Sequence, residues 1–206
     1  MKLILLLLIF GQYDLYLARV KYRGGDWYND PDILVNLAQE LNKRTTLRVY
    51  PRQVVVDLKS DEIFNYPFLF LTGHGDIQLS DEEVSNLRKY LTSGGFLYAD
   101  DDYGMDKYFR REMKKVFPNL EFVELPFDHP IYHILYDFPN GPPKIHKHTG
   151  KPPKGYGIFY QGRLVVYYTY ESNVSDGWTA VHNDPPEKRE QAFRMGINIV
   201  LYALTQ

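Results

Sequence analysis

Short polar segments follow three apolar stretches of this 206-residue chain, and this repeated arrangement constrains the fold most. The apolar stretches are residues 14–22, 67–72 and 96–99. Each has the composition of a β-strand, and the second is almost wholly apolar, as in a strand buried on both faces. Helical patterns separate the stretches. The sequence therefore predicts an α/β fold with a doubly wound, mostly parallel sheet.

Amphipathic segments between these strands favour helices on both faces of the sheet. Asp30-Pro31 has the form of an N-cap followed by the first helical residue. Ser80 and Glu83 have capping-box spacing at the start of the next helix. Residues 106–117 predict a third helix, which ends before a proline.

The C-terminal part departs from this alternation of strand and helix. Residues 139–155 are rich in Pro, Gly, Lys and His and predict a long loop. Residues 156–160 and 163–170 then predict a β-hairpin, and a last helix begins near Asp184. No linker interrupts the chain, so residues 12–206 are predicted to form a single domain.

The first residues have the pattern of a secretory signal. Met1-Lys2 precedes an apolar run over residues 3–10, and Gly11 follows it. The run is too short to span a bilayer as a helix, and the alternative is an additional strand of the sheet. We predict a signal peptide at residues 1–11, a periplasmic or secreted mature protein, and no stable membrane span after cleavage.

The amino-acid composition limits which partners the protein can bind and which reactions it can catalyse. A formal net charge of -2 gives no general electrostatic case for binding nucleic acid. The 18 tyrosines favour strands, and they also suit surfaces that contact sugars or peptides. The chain contains no cysteine, which excludes disulfides and thiol nucleophiles.

The polar segments predict a ligand-binding site, because ligands of open parallel sheets bind beyond the carboxyl ends of the strands. Since the third strand of such a sheet lies beside the first and the fourth, the three segments should meet. The candidate ligand-binding residues are Asp26, Trp27 and Tyr28, then Gly73, His74 and Gly75, and finally Asp100, Asp101 and Asp102.

The last three of these, the Asp run, allow three interpretations. Their carboxylates could bind Mg²⁺ or Ca²⁺. One of them could act as a nucleophile or general base with His74 as proton partner, which makes His74, Asp100 and Asp101 candidate catalytic residues. They could also accept hydrogen bonds from turn and helix amides. An extended turn would place Asp100 and Asp102 on one face and Asp101 on the other.

Other polar residues carry weaker signals. His146 and His148 alternate as two metal ligands of a strand would, but no third ligand is apparent and lysines surround them. We predict a solvated basic loop there and no metal site. Arg110 could reach back to the Asp run, and His129 is a reserve member of the site. Trp27 and Tyr28 could form a wall for a sugar or peptide, or pack over the sheet edge.

These motifs form an ordered series over residues 20–22, 25–28, 70–75, 94–101, 109–113 and 129–132. The series resembles the bacterial family catalogued as domain of unknown function 4159, from about Tyr16 to the C-terminus. The resemblance implies a flavodoxin-like fold similar to class I glutamine amidotransferases, and no established activity. Those enzymes carry a cysteine on the elbow after a central strand. The equivalent turn here would be the Asp run, and without cysteine, glutaminase chemistry is excluded.

The sequence therefore favours a non-catalytic module of the cell envelope. Its partner would be an envelope protein, a small molecule or a carbohydrate. The alternative is a hydrolase that uses the Asp run with His74, assisted by a metal ion or without one.

Overall fold

The computed structural model describes residues 12–206, which form a central sheet with helices on both faces. The strands are β1 (Ala18–Lys21), β2 (Arg23–Gly25), β3 (Val54–Asp57), β4 (Phe68–Gln78), β5 (Phe96–Tyr103), β6 (Val123–Glu124), β7 (Lys154–Tyr160) and β8 (Arg163–Tyr170). The helices are α1 (Ile33–Arg44), α2 (Asp81–Thr92), α3 (Asp106–Val116) and α4 (Pro186–Thr205).

The sheet has the order β3-β1-β4-β5-β8-β7-β6. The first five strands of this order are mutually parallel, and β7 and β6 continue the sheet in antiparallel pairing. The predicted α/β class, the neighbours of the third main strand, the C-terminal hairpin and the last helix are confirmed. The arrangement is consistent with a flavodoxin-like fold, and the likeness to glutamine amidotransferases stays a prediction.

Strand β4 shows why the sheet is covered on both sides. Phe68 and Phe70 point to one face, where they join a core that contains apolar side chains of α1 and α4. Leu69 and Leu71 point to the opposite face, into a core that contains apolar side chains of α2 and α3. Because side chains alternate along a strand, the apolar run before Gly73 fills two separate cores.

The helix starts are only partly as predicted. Ser80 and Glu83 do form a capping box at α2. Helix α1, however, begins at Ile33 after Asp32, and Asp30 is not its N-cap. Asp30 has a positive φ of 43°, and the guanidinium of Arg19 donates a hydrogen bond to its carbonyl oxygen. This long-range contact determines the backbone of Asp30, so the local cap pattern was misleading.

All three predicted polar loops lie wholly or partly in strands: β2 includes Gly24 and Gly25, β4 includes residues 73–76, and β5 includes the Asp run. Strand β4 continues through His74 to Gln78, and its second half pairs antiparallel with β2. The first strand is correspondingly shorter than predicted, because only Leu15 forms an isolated bridge before β1 begins. Glycine is unfavourable in strands, so the glycines of both segments indicated turns. In the structure the two segments pair with each other, and their hydrogen bonds compensate for the low strand preference of glycine.

The predicted export signal at residues 1–11 lies outside the described residues, so cleavage and localisation stay predictions. Within residues 12–206, none of the helices has the length and apolar character needed to cross a bilayer.

Candidate functional site

His74 lies between two carboxylates at the carboxyl edge of the parallel strands. Its Nδ1 is 2.9 Å from Oδ2 of Asp26, and its Nε2 is 3.3 Å from Oδ2 of Asp102. The backbone N–H of His74 also donates to Oδ1 of Asp26, at 2.5 Å. We call Asp26, His74 and Asp102 the His74 centre. The structure brings these three predicted site residues together.

An irregularity between β4 and β5 builds this centre. Gly73 pairs with Asp101 and His74 pairs with Tyr103, so Asp102 is an extra residue in its strand. Such bulges redirect side chains, and here Asp102 is turned towards His74. Gly73 is required at its position, because it has a φ of 138° and a Cβ there would lie 2.2 Å from the hydroxyl of Tyr22.

Both ring nitrogens of His74 therefore face carboxylates. Burial lowers the pKa of His74, but Asp102 and Asp26 outweigh it and raise the pKa overall. Burial, together with Asp176, raises the pKa of Asp102 to about 7. A protonated imidazole between two carboxylates has no free lone pair. This arrangement suits an ion-paired structural link better than a general base.

The remaining members of the Asp run have different partners. Asp100 is fully buried, and its Oδ2 accepts hydrogen bonds from the backbone N–H (2.6 Å) and hydroxyl (2.7 Å) of Ser175. Asp101 accepts from the N–H of Met105 at the start of α3. Burial raises the pKa of Asp100 to about 7 and that of Asp101 to about 6. The run does not converge on one point, so its geometry does not support a Mg²⁺ or Ca²⁺ site made from these three carboxylates.

A second group of imidazoles and carboxylates lies beside the first. Nδ1 of His146 is 2.8 Å from Oδ2 of Asp176, and its Nε2 is 2.8 Å from Oδ1 of Asp184. The prediction that His146 belongs to a solvated basic loop without further ligands is therefore wrong. The hydrogen bond to Asp176 raises the pKa of His146 to about 9, against the effect of burial.

His148 completes this second group. Ligand atoms of His146, His148 and Asp176 lie within 4.8 Å of one another. We call these three residues the His146 centre. Asn173 connects the two centres, because its Nδ2 is 3.3 Å from Oδ1 of Asp102 and 3.1 Å from Oδ2 of Asp176.

The rule that ligands bind beyond the carboxyl ends of parallel strands predicted the His74 centre, and it also identifies Asp176 as a residue of this edge. Residues 171–176 follow β8, which is parallel to β5, so their side chains reach the same edge. Glu171 and Asn173 both have positive φ, at 57° and 56°, as strained residues near functional sites often do. The predicted lysine repulsion is also absent at Lys144, whose Nζ is 2.8 Å from a carboxylate oxygen of Glu171.

An open cleft of about 620 Å³ adjoins both centres. The rings of Tyr103 and His148 stack on its wall, with centroids 4.8 Å apart. Its lining consists of Gly75, Asp101, Tyr103, Gly104, Asp106, Lys107, Tyr108, His148, Thr149, Tyr170 and Glu171. Gly75 and Asp101 are the residues of the predicted ligand-binding set that line it.

The predicted aromatic wall lies elsewhere. Trp27 packs partly against the core on the α2 and α3 side of the sheet, and its ring meets that of Tyr28 edge to face at 5.8 Å. Tyr28 is 64% exposed. Neither residue lines the cleft, which favours the packing interpretation for Trp27.

Arg110 and His129 do not join the candidate site. Arg110 forms an ion pair with Asp106 at 2.7 Å and lies over the ring of Tyr156. His129 accepts a hydrogen bond from the N–H of Ile131 and caps a short 3₁₀ helix. Each is held by local contacts that the sequence pattern did not reveal.

Comparison with known proteins identifies the family without adding an activity. No curated protein matches the chain. The model of the family described as "Domain of unknown function (DUF4159)" matches residues 16–204, which include all the described strands and helices except the last residue of α4. Both the His74 centre and the His146 centre fall within that match, and the chain therefore belongs to the DUF4159 family.

Proposed function

We propose that this protein is a binding module for a small polyhydroxylated ligand of the carbohydrate class. The observation that carries the proposal is the cleft at the carboxyl edge, in which stacked aromatic rings and carboxyl groups face one space. Ligand sites of open α/β sheets occur at this edge. The cleft volume of about 620 Å³ also lies in the range of small-molecule sites.

The lining suits a neutral polyol better than a cation. Tyr103 and His148 offer aromatic rings to the apolar face of a sugar ring. Carboxyl groups accept hydrogen bonds from hydroxyls. Two of the three carboxyl groups of the cleft already have cationic partners, because Asp106 pairs with Arg110 and Glu171 pairs with Lys144. Little negative charge therefore remains to attract a cationic ligand.

The hydrolase that uses His74 is the second candidate. The chain of contacts from Asp26 through His74 to Asp102 favours it, because a histidine oriented by a carboxylate is a common catalytic arrangement. Against it, the second ring nitrogen of His74 also faces a carboxylate. Ester or glycoside hydrolysis that disappears in His74→Gln while the folded state persists would replace the binding proposal with the enzymatic one.

The binding module acts outside the cytoplasm in this proposal. The basis is the charged and apolar pattern of residues 1–11. Intact-mass analysis of protein expressed in a Gram-negative host should give a product cleaved near Gly11. A product that begins at Met1 would contradict export and leave the cleft proposal unaffected.

The chain offers a matched pair of tyrosines for the binding test. Tyr103 is 55% exposed on the cleft, and Tyr28 is 64% exposed away from it. We expect calorimetric titration with a panel of neutral mono- and oligosaccharides to detect binding to the parent. Tyr103→Ala should weaken the affinity at least tenfold, equivalent to about 1.4 kcal/mol. Tyr28→Ala should bind as the parent does.

Two outcomes would overturn the binding proposal. One is that no saccharide in the panel binds the parent at millimolar concentration. The other is that Tyr103→Ala and Tyr28→Ala weaken binding equally, which would place the ligand outside the cleft.

A further inference from the structure

We propose that the His146 centre binds a divalent transition-metal ion of the Zn²⁺ class. His146 and His148 supply imidazole nitrogens and Asp176 supplies a carboxylate oxygen, and the ligand atoms lie within 4.8 Å of one another. Two imidazoles and one carboxylate form a common three-ligand set for zinc and for non-haem iron. Three protein ligands leave a coordination position open for water or another molecule.

The unpartnered atoms around this centre point to a missing ligand. Within residues 12–206, the buried polar atoms without a hydrogen-bond partner include Nε2 of His148, Oδ1 of Asn173 and Oδ2 of Asp184. Asn173 is fully buried, and the side chain of Asp184 is only 5% exposed. Buried polar groups are almost always satisfied, so three unsatisfied atoms in one small region need an explanation. A cation bound between His146, His148 and Asp176 would give Nε2 of His148 a partner.

The surrounding groups match those that support metal ligands in proteins. His146 uses one ring nitrogen towards Asp176 and the other towards Asp184. A carboxylate on the second nitrogen of a metal-binding imidazole fixes its orientation and makes it a stronger ligand. Asn173 likewise holds Asp176 through the hydrogen bond from its Nδ2. Asp184 and Asn173 are therefore positioning residues in this proposal.

The local charge also favours a cation. Asp30 belongs to a second group of ligand atoms with Asp176 and His182, and these atoms too lie within 4.8 Å of one another. Asp102 is also close to Asp176, because Nδ2 of Asn173 donates to both carboxyl groups. Lys144, one of the lysines that the sequence places near the two histidines, is paired with Glu171. The carboxyl groups of Asp30, Asp102 and Asp176 thus lie together in or beside the centre.

The two imidazole ligands of the His146 centre determine which metal ions it would bind. Mg²⁺ and Ca²⁺ prefer oxygen ligands, whereas imidazole suits zinc, copper, iron and nickel. Without metal, the contact between His146 and Asp176 is a hydrogen-bonded ion pair that links residues 144–150 to residues 171–184. A metal ion would replace the proton on Nδ1 of His146 and recruit His148.

The metal site does not rest on the proposed carbohydrate binding, although His148 also lines the cleft. The two proposals have separate readouts, because one is measured with metal alone and the other with sugar alone. Tyr103→Ala is measured with sugar only, because the ring of Tyr103 stacks on that of His148. The two titrations can therefore distinguish a protein that binds metal but not sugar from one that binds sugar but not metal.

The test uses the full chain without an affinity tag, treated with chelator and then titrated calorimetrically with Zn²⁺. Co²⁺ absorption spectra report the number and type of ligands independently. His148→Gln is the most informative variant, because the side chain of His148 is partly exposed and its replacement should leave the fold intact. His133→Gln is the matched control, since His133 also pairs with an aspartate, Asp137, away from the centre.

We expect one Zn²⁺ per chain and a Co²⁺ spectrum typical of low coordination number. His148→Gln and Asp176→Asn should each weaken Zn²⁺ binding at least tenfold, and His133→Gln should change it less than twofold. Mg²⁺ should not compete. Absence of Zn²⁺ binding to the parent would overturn the proposal. Equal affinity in the parent and His148→Gln would overturn it as well, even if Asp176→Asn proved unfolded.

Discussion

The His74 centre and the His146 centre use the same chemical groups but are assembled differently. Asp26 follows β2, and His74 and Asp102 lie within the paired strands β4 and β5. His146, by contrast, lies in a loop, and Asp176 begins a short 3₁₀ helix thirty residues later. In the first centre both nitrogens of the histidine face carboxylates. In the second, both nitrogens of His146 also face carboxylates, but Nε2 of His148 makes no hydrogen bond. The first is a closed ion-pair network, and the second has room for a ligand.

The largest expected effect comes from comparing two tryptophans, one near each centre. Trp178 follows Asp176, is fully buried, and donates its indole N–H to the carbonyl oxygen of Ala192 in α4. Trp178→Ala should lower the free energy of unfolding by about 4 kcal/mol, because it leaves a large cavity and removes a buried hydrogen bond. Trp27, beside the His74 centre, is only partly buried. Trp27→Ala should cost clearly less when both are measured by urea denaturation, and equal losses would contradict the comparison.

Glycine substitutions probe the His74 centre directly. Gly73→Ala should destabilise the protein by about 3 kcal/mol, because an unfavourable φ is combined with a clash against Tyr22 and Asp26. Gly104 has a φ of 75° with open space around it. Gly104→Ala should therefore cost only about 1 kcal/mol in the same denaturation experiment. If Gly73→Ala were as mild as the control, the close approach of β4 to Asp26 would be wrong.

Asp101→Asn should weaken the dependence of stability on pH. Burial, opposed by the hydrogen bond from Met105 and helped by Asp106, raises the pKa of Asp101 from 3.8 to about 6. The folded state then holds this proton more tightly than the unfolded state does. The contribution of Asp101 to the free energy of unfolding therefore falls as the pH rises from about 4 to about 6.5.

An asparagine can still accept the N–H of Met105, but it does not ionise. Between about pH 4 and pH 6.5, we expect the parent to lose about 2 kcal/mol more stability than Asp101→Asn. Denaturation at several pH values measures this difference, and the exposed Asp128→Asn serves as control. Parallel curves for the parent and Asp101→Asn would show that this carboxyl group titrates normally.

The smallest expected effect concerns the contact between His182 and Asp30, which are 3.0 Å apart at a partly exposed position. His182→Gln should change the free energy of unfolding by less than about 0.5 kcal/mol. Its effect on Zn²⁺ affinity is the sharper measurement, because His182 is in the second ligand group with Asp176. Unchanged affinity would restrict the metal to the His146 centre, whereas a tenfold loss would add His182 to it.

Local patterns were sufficient for much of the sheet and for the His74 centre. The apolar run before Gly73 predicted a strand buried on both faces, and the position of Asp26, His74 and the Asp run after their strands predicted their meeting. These inferences succeed because strand periodicity and the carboxyl-edge rule depend on residues close in sequence. The capping box of Ser80 and Glu83 was predicted for the same reason.

The features that the sequence did not predict depend on contacts with residues that are distant in the sequence. Asp30 matched an N-cap pattern, but Arg19 and His182 hold it in another conformation. His146 had no apparent third ligand, because Asp176 is thirty residues away in the sequence. The sequence of the second half of β4 indicated a turn, whereas in the structure this segment pairs with β2. In each case a tertiary contact overrides a correct local preference.

The extra residue in β5 makes the length of the Asp run as important as its composition. Deleting Asp102 would let β4 and β5 pair without interruption and bring the aromatic side chain of Tyr103 to the place where His74 now meets a carboxylate. Inserting a fourth aspartate would reverse the facing of the side chains that follow, because facing alternates with every residue. Point substitutions in this run change one contact at a time, whereas a single-codon insertion or deletion would rearrange the whole edge of the sheet.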